Sequence, residues 1–355
     1  MPQRILLAAI FSLFLFLSAC GGYSNPNIET TSEAAGNPVA ANVSQDPQIR
    51  EDGDVITLRL GHQTPESTNY HTASLRFKEL VAEKTDGKVQ IEIYPFRQLG
   101  TDRELLEAMQ FGTLDLGMIT GPAVSGFAPE TSVLDLPYLF DGWDHVNEFI
   151  GTETEDKYRA ITEEVNLKTF GLMARGFRHV STSTGPIESL DDFNGLTVRV
   201  SESPIYIEAY EALGASPQSM NFGDAYTALE QGAIDGQENT MDINDDENIN
   251  DVNSHVSKTG INFAFAFLMG SKDRFESLPE DAQVAILEAS EEVLTEINKE
   301  NEENEAEYEN VLEEKGMEIN ELDLDLFKEK VEGIYQNWTD QHGTDLLSEI
   351  LGMTE

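Results

Sequence analysis

The sequence predicts an α/β protein built from two domains, and three observations support this prediction. Between residues 54 and 119 the hydrophobic pattern changes from strand to helix and back, in the order strand, helix, strand, helix, strand. Residues 195–240 repeat this strand–helix pattern. The part of the chain that follows Asp54 is also long enough for two domains of about 100–150 residues each.

The first 53 residues are predicted to lie outside the fold. Arg4 precedes an apolar run over residues 5–17 that is too short to span a membrane comfortably. The run ends at Leu-Ser-Ala-Cys, which resembles a bacterial lipobox, so residues 1–19 are predicted to be a signal peptide and Cys20 the lipid attachment site. The alternative is an ordinary signal peptide with a chance cysteine at the cut. Cys20 is the only cysteine of the chain, which excludes an intrachain disulfide.

Residues 20–53 are rich in Gly, Ser, Asn, Pro, Thr and acidic side chains. Such a segment cannot bury enough apolar surface to order itself. It is predicted to be a flexible tether between the membrane and the folded part.

The charge of the chain restricts its partners. There are 22 Lys and Arg residues against 66 Asp and Glu residues, a formal net charge of −44. This excludes a nucleic-acid-binding protein, which needs a basic face, and disfavours adhesion of the protein surface to anionic lipid. Because so anionic a fold repels itself unless salt screens the charge, we expect a salt-loving source. An anionic ligand would need specific Arg residues.

Three strands are predicted in the first half of the folded part. Residues 54–61 and 89–93 alternate between apolar and polar side chains, and residues 114–119 form a third apolar strand. With helices between them, these strands predict a mainly parallel sheet with helical covers. Ligands bind such sheets at the C-terminal ends of the strands, so the loops after Gly61 and Ile119 are expected beside a site.

Two helices separate these strands. The first follows a cap at Ser67 or Thr68 and carries one apolar stripe. The second follows a cap at Thr101 or Asp102 and extends through Gln110.

The rest of the chain predicts a second α/β domain that begins around Gly176. A helix over 154–165 and a strand over 168–174 precede this point. The predicted elements in the C-terminal part are strands over 256–259 and 262–270, one helical stretch over 271–314, a short strand over 317–319 and an amphipathic helix over 324–351. Domain I is predicted to comprise residues 54–175 and 265–304, and domain II residues 176–264 and 305–355.

Arg199 raises the central question about function. It lies in an apolar strand between Val198 and Val200. A buried guanidinium is costly unless an anion meets it, so either a protein carboxylate or a ligand is expected beside Arg199. Arg178 also lies in an extended, half-apolar segment.

Motifs of catalysis and metal binding are absent from the sequence. There is no G-x-S-x-G, H-E-x-x-H, Walker or C-x-x-C pattern, and the six His residues show no ligand spacing. His62 and His71, nine residues apart, leave a metal site only as a minor alternative. We therefore expect no catalytic residues, no metal and no cofactor.

Several long segments resemble one family, the DctP-type extracytoplasmic substrate-binding proteins of tripartite ATP-independent periplasmic (TRAP) transporters. They are GKVQIEIYPFRQLGTDRELLEAMQFGTLDLG, VLDLPYLF, GLTVRVSESP, LGASPQSMNFGDAYTALEQGAIDGQEN and SLPEDAQ, and the resemblance covers residues 55–350. It implies a two-domain periplasmic-binding-protein-like fold, with a ligand cleft between the domains, crossing strands and a long bracing helix. It also implies that the cleft closes on an organic acid, which is then delivered to the permease subunits.

The resemblance assigns roles to individual residues. Arg199 matches the Arg that holds the ligand carboxylate in a bidentate salt bridge, a role that suits the planar guanidinium. Arg178 matches a second ligand-side Arg, Asn239 a ligand-contacting Asn and Phe222 an aromatic that packs on the ligand. The alternatives are an internal ion pair, a surface Arg of a hinge strand, a turn-forming Asn and a core Phe, respectively. Gln63 and Thr120 occupy first-domain loop positions that vary with ligand.

The resemblance narrows the ligand only partly. Thr240 follows the Gln-Glu-Asn segment where many relatives have Pro, so the shape of that wall is open. The segment RVSESPIYIEAYEALGA is more similar to relatives that take uronates and related sugar acids than to those that take diacids. A C4-dicarboxylate or sialic acid is the alternative ligand, and a sensory binding module or a secreted enzyme the alternative class of protein. The expected location is outside the cytoplasm, anchored to the cell membrane by lipid.

Overall fold

A computed structural model describes residues 55–354. The predicted signal peptide, Cys20 and the tether lie outside this range. The first elements follow the predicted order and are β1 (Ile56–His62), α1 (Asn69–Lys84), β2 (Val89–Tyr94), α2 (Asp102–Gln110) and β3 (Leu116–Thr120).

A helical segment then leads to the first long strand. It contains α3 (Gly121–Val124), a 3₁₀ helix (Pro129–Asp135), α4 (Trp143–Phe149), α5 (Glu153–Ile161), a 3₁₀ helix (Thr162–Val165) and the 16-residue strand β4 (Leu167–Thr182).

The second strand–helix unit mirrors the first. After a 3₁₀ helix (Leu190–Phe193) come β5 (Thr197–Val200), α6 (Pro204–Leu213), β6 (Ser216–Ser219), α7 (Phe222–Glu230) and β7 (Gly236–Asn239).

The last part contains the second long strand and the longest helix. Its elements are α8 (Met241–Asp246), a 3₁₀ helix (Ile249–Asp251), the 17-residue β8 (His255–Ser271), α9 (Lys272–Glu276), the 35-residue α10 (Glu280–Glu314), β9 (Glu318–Asn320), α11 (Asp325–His342), α12 (Asp345–Leu351) and a 3₁₀ helix (Gly352–Thr354).

The strands of residues 55–354 form one mixed sheet. Its order is β2-β1-β3-β8-β4-β7-β5-β6, with β9 paired to β8. The strands β1, β2 and β3 are parallel to one another, as are β5, β6 and β7, which agrees with the predicted parallel units. We call these two groups the first half and the second half of the sheet.

The strands β4 and β8 join the two halves. They pair antiparallel along almost their whole length, from Leu167 opposite Ser271 to Thr182 opposite His255. The first half attaches to β8 near one end of this pair, and the second half attaches to β4 near the other end. These are the crossing strands that the resemblance implies.

The helix α10 braces the sheet. Its apolar side chains Ile286 and Val293 are buried with Phe77 and Val81 of α1 and Leu60 of β1 in one core cluster. Further along, α10 contacts α8, beside the second half. One helix therefore packs against the first half and against α8, which follows the last strand of the second half, although the predicted residue boundaries of the two domains remain a prediction.

Polar contacts fix α10 to the crossing strands. The amides of Asn298 and Asn301 donate to the carbonyls of Leu172 and Ala174 on β4. The indole N–H of Trp143 donates to the Glu305 carboxylate on α10.

Several predicted boundaries are wrong, for local reasons. The strands predicted over 256–259 and 262–270 are one strand, β8, which stays in the sheet through a distortion at Gly260 (φ 52°). The helical stretch over 271–314 is interrupted because Pro279, which lacks an N–H, is the N-cap of α10. The helix over 324–351 divides at Gly343 (φ 86°). The helix over 154–165 ends as a 3₁₀ turn.

Among residues 55–354, no helix has the length and apolar composition needed to cross a membrane.

Gly236 provides a test of the contact between β7 and β4. A Cβ at this position would lie 2.4 Å from the Ser181 carbonyl oxygen, so one of the two strands would have to shift. We expect Gly236→Ala to lower the free energy of unfolding by about 2–3 kcal/mol, as measured by denaturant unfolding. The control is Gly333→Ala on the exposed face of α11, where no atom lies within 4 Å. It should raise this free energy by up to about 1 kcal/mol, and equal effects would contradict the packing.

Candidate functional site

A pocket lies between the two halves of the sheet, beside the crossing strands. About 460 Å³ of space free of protein atoms lies within the pocket and its mouth, including open solvent. The walls come from the C-terminal ends of β1, β3, β5 and β7, the start of α2 and α7, and the middle of β4. All six side chains that were predicted to bind substrate line it, namely Gln63, Thr120, Arg178, Arg199, Phe222 and Asn239.

Arg178 forms a buried ion pair. Its Nε donates to Glu238 Oε2, and its Nη2 donates to the Glu238 carbonyl at 3.0 Å. Burial disfavours the charge of this guanidinium, but attraction to Glu238, together with Tyr206 and Tyr70, raises the pKa of Arg178 overall. The alternative of a surface Arg is therefore wrong, because the side chain is buried against its own carboxylate.

Arg199 is held differently. Its Nε and Nη2 donate to the Met220 carbonyl at 3.1 and 2.9 Å, whereas Nη1 lies 3.6 Å from Glu238 Oε1. Glu238 already serves Arg178, and its Oε1 also accepts from the Ser201 backbone N–H and hydroxyl. Burial accordingly lowers the pKa of Arg199 to about 10, with Glu238 only partly opposing it. Arg199 thus carries a charge that the protein compensates incompletely.

A third guanidinium, Arg175, also lines the pocket and was missed from the sequence. It donates to Asp242 Oδ2 at 2.5 Å and lies over the Tyr70 ring at 4.8 Å from the centroid. Burial disfavours the charge of Arg175, but attraction to Asp242, together with Tyr70, raises its pKa overall. A register shift between Ala174 and Gly176 makes Arg175 the extra residue of a β-bulge. Because the bulge breaks the alternation of side chains along β4, the sequence pattern does not predict on which face of the sheet Arg175 lies.

A carboxyl group lies in the wall formed by the first half. Asp102 is 3% exposed, and its Oδ2 accepts from Gln63 Nε2 at 2.6 Å and from the Thr120 backbone N–H at 3.0 Å. Burial raises the pKa of Asp102 to about 7. The sequence offered Asp102 only as a possible cap. Thr101 is the N-cap, in a capping box with Glu104, and this leaves the Asp102 side chain free to point inward.

Phe222 and Asn239 complete the second-half wall. Phe222 begins α7, is half-buried and lies 5.6 Å from Arg199 Cζ, measured from the ring centroid. It belongs to none of the apolar clusters found in residues 55–354, so it is not a plain core residue. Asn239 pairs with His179 in the sheet and is not part of a turn.

His62 and His71 are adjacent in space. His62 Nε2 and His71 Nδ1 are 3.1 Å apart and share a hydrogen bond. Burial and the neighbouring His71 lower the pKa of His62 to about 4. The residues described by the structure contain no group of three or more His, Cys, Asp or Glu side chains suited to a metal.

The chemistry of this pocket is that of anion binding. Three buried guanidiniums face two carboxylates that are paired with them, Glu238 and Asp242. Half-buried Glu202 also lines the pocket. A small carboxylate would compensate the remaining buried positive charge, and polar groups of the first-half wall could bind the rest of such a molecule.

The sequence profile of the bacterial extracellular solute-binding proteins, family 7 (DctP), matches residues 60–341. An uncharacterised protein of Haemophilus influenzae is 30% identical over 305 residues, which cover 84% of this chain and 92% of the relative.

Two solved structures of TRAP periplasmic solute-binding proteins share the fold. The Chromohalobacter salexigens protein with bound D-glucuronate is 27% identical with a TM-score of 0.80, and the alignment covers 83% of this chain and 99% of that one. The Roseobacter denitrificans protein with bound L-galactonate is 28% identical with a TM-score of 0.77, and the alignment covers 84% and 98%.

Proposed function

Because the chain belongs to the bacterial extracellular solute-binding proteins of family 7, we propose that it captures a sugar acid and delivers it to a TRAP-type permease. Like its relatives, the chain is a solute-binding protein of TRAP transport and not an enzyme. The observation that carries the proposal is Arg199, a buried guanidinium beside the pocket with incomplete charge compensation.

The main contact of the ligand carboxylate is proposed to be Arg199. Phe222 packs beside this guanidinium, and Arg178 supplies a second positive group on the same side. Asn239 can donate and accept hydrogen bonds, and Gln63 and Thr120 extend from the opposite half. A uronate or aldonate fits this division into one anionic end and several hydroxyls, and the sugar acids bound by the two solved relatives support it.

Ligand capture is proposed to draw the two halves together about β4 and β8. Both walls of the pocket then contact one molecule, whose binding energy stabilises the closed form. The closed form would be the one that the membrane subunits accept.

Cys20 is proposed to carry the lipid that keeps the protein at the membrane, with residues 20–53 as the tether. Mass spectrometry of the protein from its native membrane tests this proposal. A diacylglyceryl group on an N-terminal Cys20 supports it, and a mature N-terminus elsewhere contradicts it.

The proposed function predicts a selective thermal shift. The purified protein, kept in high salt because of its charge, is heated with a panel of glucuronate, galacturonate, gluconate, galactonate, succinate and sialic acid. We expect at least one sugar acid at 100 times its Kd to stabilise the protein by about 2.7 kcal/mol. Neutral glucose and galactose are the controls and should give no shift.

The other outcomes of this screen are equally informative. A largest shift with succinate or sialic acid would replace the sugar acid by that ligand. Turnover of any acid would contradict a binding protein, and a shift with glucose would contradict carboxylate recognition.

A further inference from the structure

Two side chains of the first-half wall that are hydrogen-bonded to each other each carry one acceptor oxygen without a hydrogen-bond partner among the described residues. Gln63 Oε1 and Asp102 Oδ1 are buried and have no hydrogen-bond partner within residues 55–354. The hydrogen bond between the two side chains does not satisfy these oxygens, because it joins Gln63 Nε2 to Asp102 Oδ2, the other polar atom of each group. This bond also fixes the orientation of the Gln63 amide, since the carboxylate needs a donor there. We call Gln63 and Asp102 the acceptor pair.

The acceptor pair has a defined chemical complement. A carbonyl oxygen accepts hydrogen bonds, and the Asp102 carboxyl accepts them with both oxygens once it has lost its proton, which happens above about pH 7 because burial raises its pKa. Above that pH, the group that satisfies both oxygens must donate. Hydroxyl groups donate, and adjacent hydroxyls of a polyol can serve both oxygens. A carboxylate has no donor at neutral pH, and it would add a like charge beside Asp102.

The cations of the pocket relieve this conflict only in part, because Arg199 attracts the charged form of Asp102 without forming a salt bridge with it. Arg175 is paired with Asp242 and Arg178 with Glu238, and Arg199 lies on the second half of the sheet. No Lys, Arg or His of the described residues forms a salt bridge with Asp102, which is held by Gln63, the Thr120 backbone N–H and the Thr120 side chain. Of the three guanidiniums, Arg199 is the least completely compensated, even with Glu238 and Glu202 nearby, so one further anionic group is expected there.

We propose that the acceptor pair selects hydroxyl-rich acids with a single carboxylate and rejects acids that carry a second carboxylate at this end. The proposal rests on the proposed function, because it concerns the ligand of the same pocket. It separates aldonates and uronates from aldarates and from short diacids.

Matched ligand pairs test the proposal. Galactonate and galactarate, and gluconate and glucarate, share a carbon skeleton and differ in one terminal CH₂OH or carboxylate. Calorimetry on the wild-type protein at about pH 8, where most of Asp102 is ionised, with glucuronate included, should give an affinity for the best monoacid at least about 100-fold above that for its aldarate. An aldarate or succinate that binds as tightly as the monoacids would overturn the proposal.

Asp102→Asn changes the wall itself. The amide oxygen can keep the contacts with Gln63 and Thr120, and the NH₂ group then replaces an acceptor by a donor. We expect weaker binding of the monoacid by about 10-fold or more, and a monoacid-to-aldarate ratio below about 10. An unchanged ratio in a folded variant would overturn the role of Asp102.

Two further variants keep the result interpretable. Glu107→Gln removes one negative charge from the same helix, outside the pocket, and should leave the ratio unchanged. Gln63→Met removes one acceptor without changing charge, and should weaken the monoacid while the ratio persists. If the wild-type protein binds no acid of either kind, the proposed function fails. If it binds acids without this preference, only the present proposal fails.

Discussion

Replacing Arg199 by alanine is expected to lower the affinity for carboxylate ligands at least about 1000-fold. The Arg199 side chain is buried, and the carboxylate nearest to it, Glu238, is already paired with Arg178. The substitution removes the guanidinium that is proposed to bind the ligand carboxylate. Calorimetry with the best sugar acid from the thermal-shift screen measures the loss.

The same variant should fold normally. Burial lowers the pKa of Arg199, so the apo protein gains little from this charge. We expect the free energy of unfolding of the apo protein to change by less than about 1 kcal/mol. Collapse of the apo protein would show that Arg199 is structural, and retained affinity would show that another group anchors the ligand.

Two controls separate charge from geometry. Arg199→Lys keeps the positive charge but loses the planar fork, and should remain at least about 10-fold weaker than wild type. Arg103→Ala removes an exposed guanidinium outside the pocket and should bind as wild type does.

Glu238→Gln is expected to be the most destabilising single change in the site, with a loss of about 3–5 kcal/mol in the free energy of unfolding. Glu238 is 0% exposed and compensates Arg178 and, in part, Arg199. Its Oε1 also accepts from the Ser201 backbone N–H. Neutralising it leaves two buried guanidiniums without their carboxylate. Urea unfolding of the apo protein measures the effect.

A second substitution tests the cause of that loss. Arg178→Met in the Glu238→Gln background removes one uncompensated charge and should restore part of the stability, although ligand affinity stays low. Glu230→Gln, on the exposed end of α7, is the matched control and should change stability by less than about 0.5 kcal/mol. Equal losses in Glu238→Gln and Glu230→Gln would contradict the importance of the buried pair.

Local patterns were enough to predict the parallel units. Alternation in β1 and β2, apolar stripes on the helices and a cap at Thr101 or Asp102 are properties of short segments, and the structure contains them at nearly the expected positions, with Thr101 as the cap. Arg199 was identified as a charge in an apolar strand for the same reason. Its burial could be anticipated, but its neighbour could not.

The missing parts depend on contacts that are distant in sequence. Glu238 meets Arg178 because β7 pairs with β4, in a register that no local pattern of either strand encodes. Arg175 enters the pocket through a bulge, which breaks the alternation that assigns side chains to faces. Asp102 was ambiguous because an acidic residue at a helix start serves equally well as a cap or as a pocket wall.

The contact between Trp143 and α10 gives the protein a built-in optical reporter. The chain has only two tryptophans, and Trp338 is buried in α11, where it donates to Ser132. The indole of Trp143 instead bonds to Glu305 and packs edge-on against Phe263 of β8, with ring centroids 5.0 Å apart. Its emission is therefore sensitive to any displacement of the long helix relative to the crossing strands. With Trp338→Phe, unlabelled protein in a stopped-flow fluorimeter would reveal how fast the halves close around a ligand.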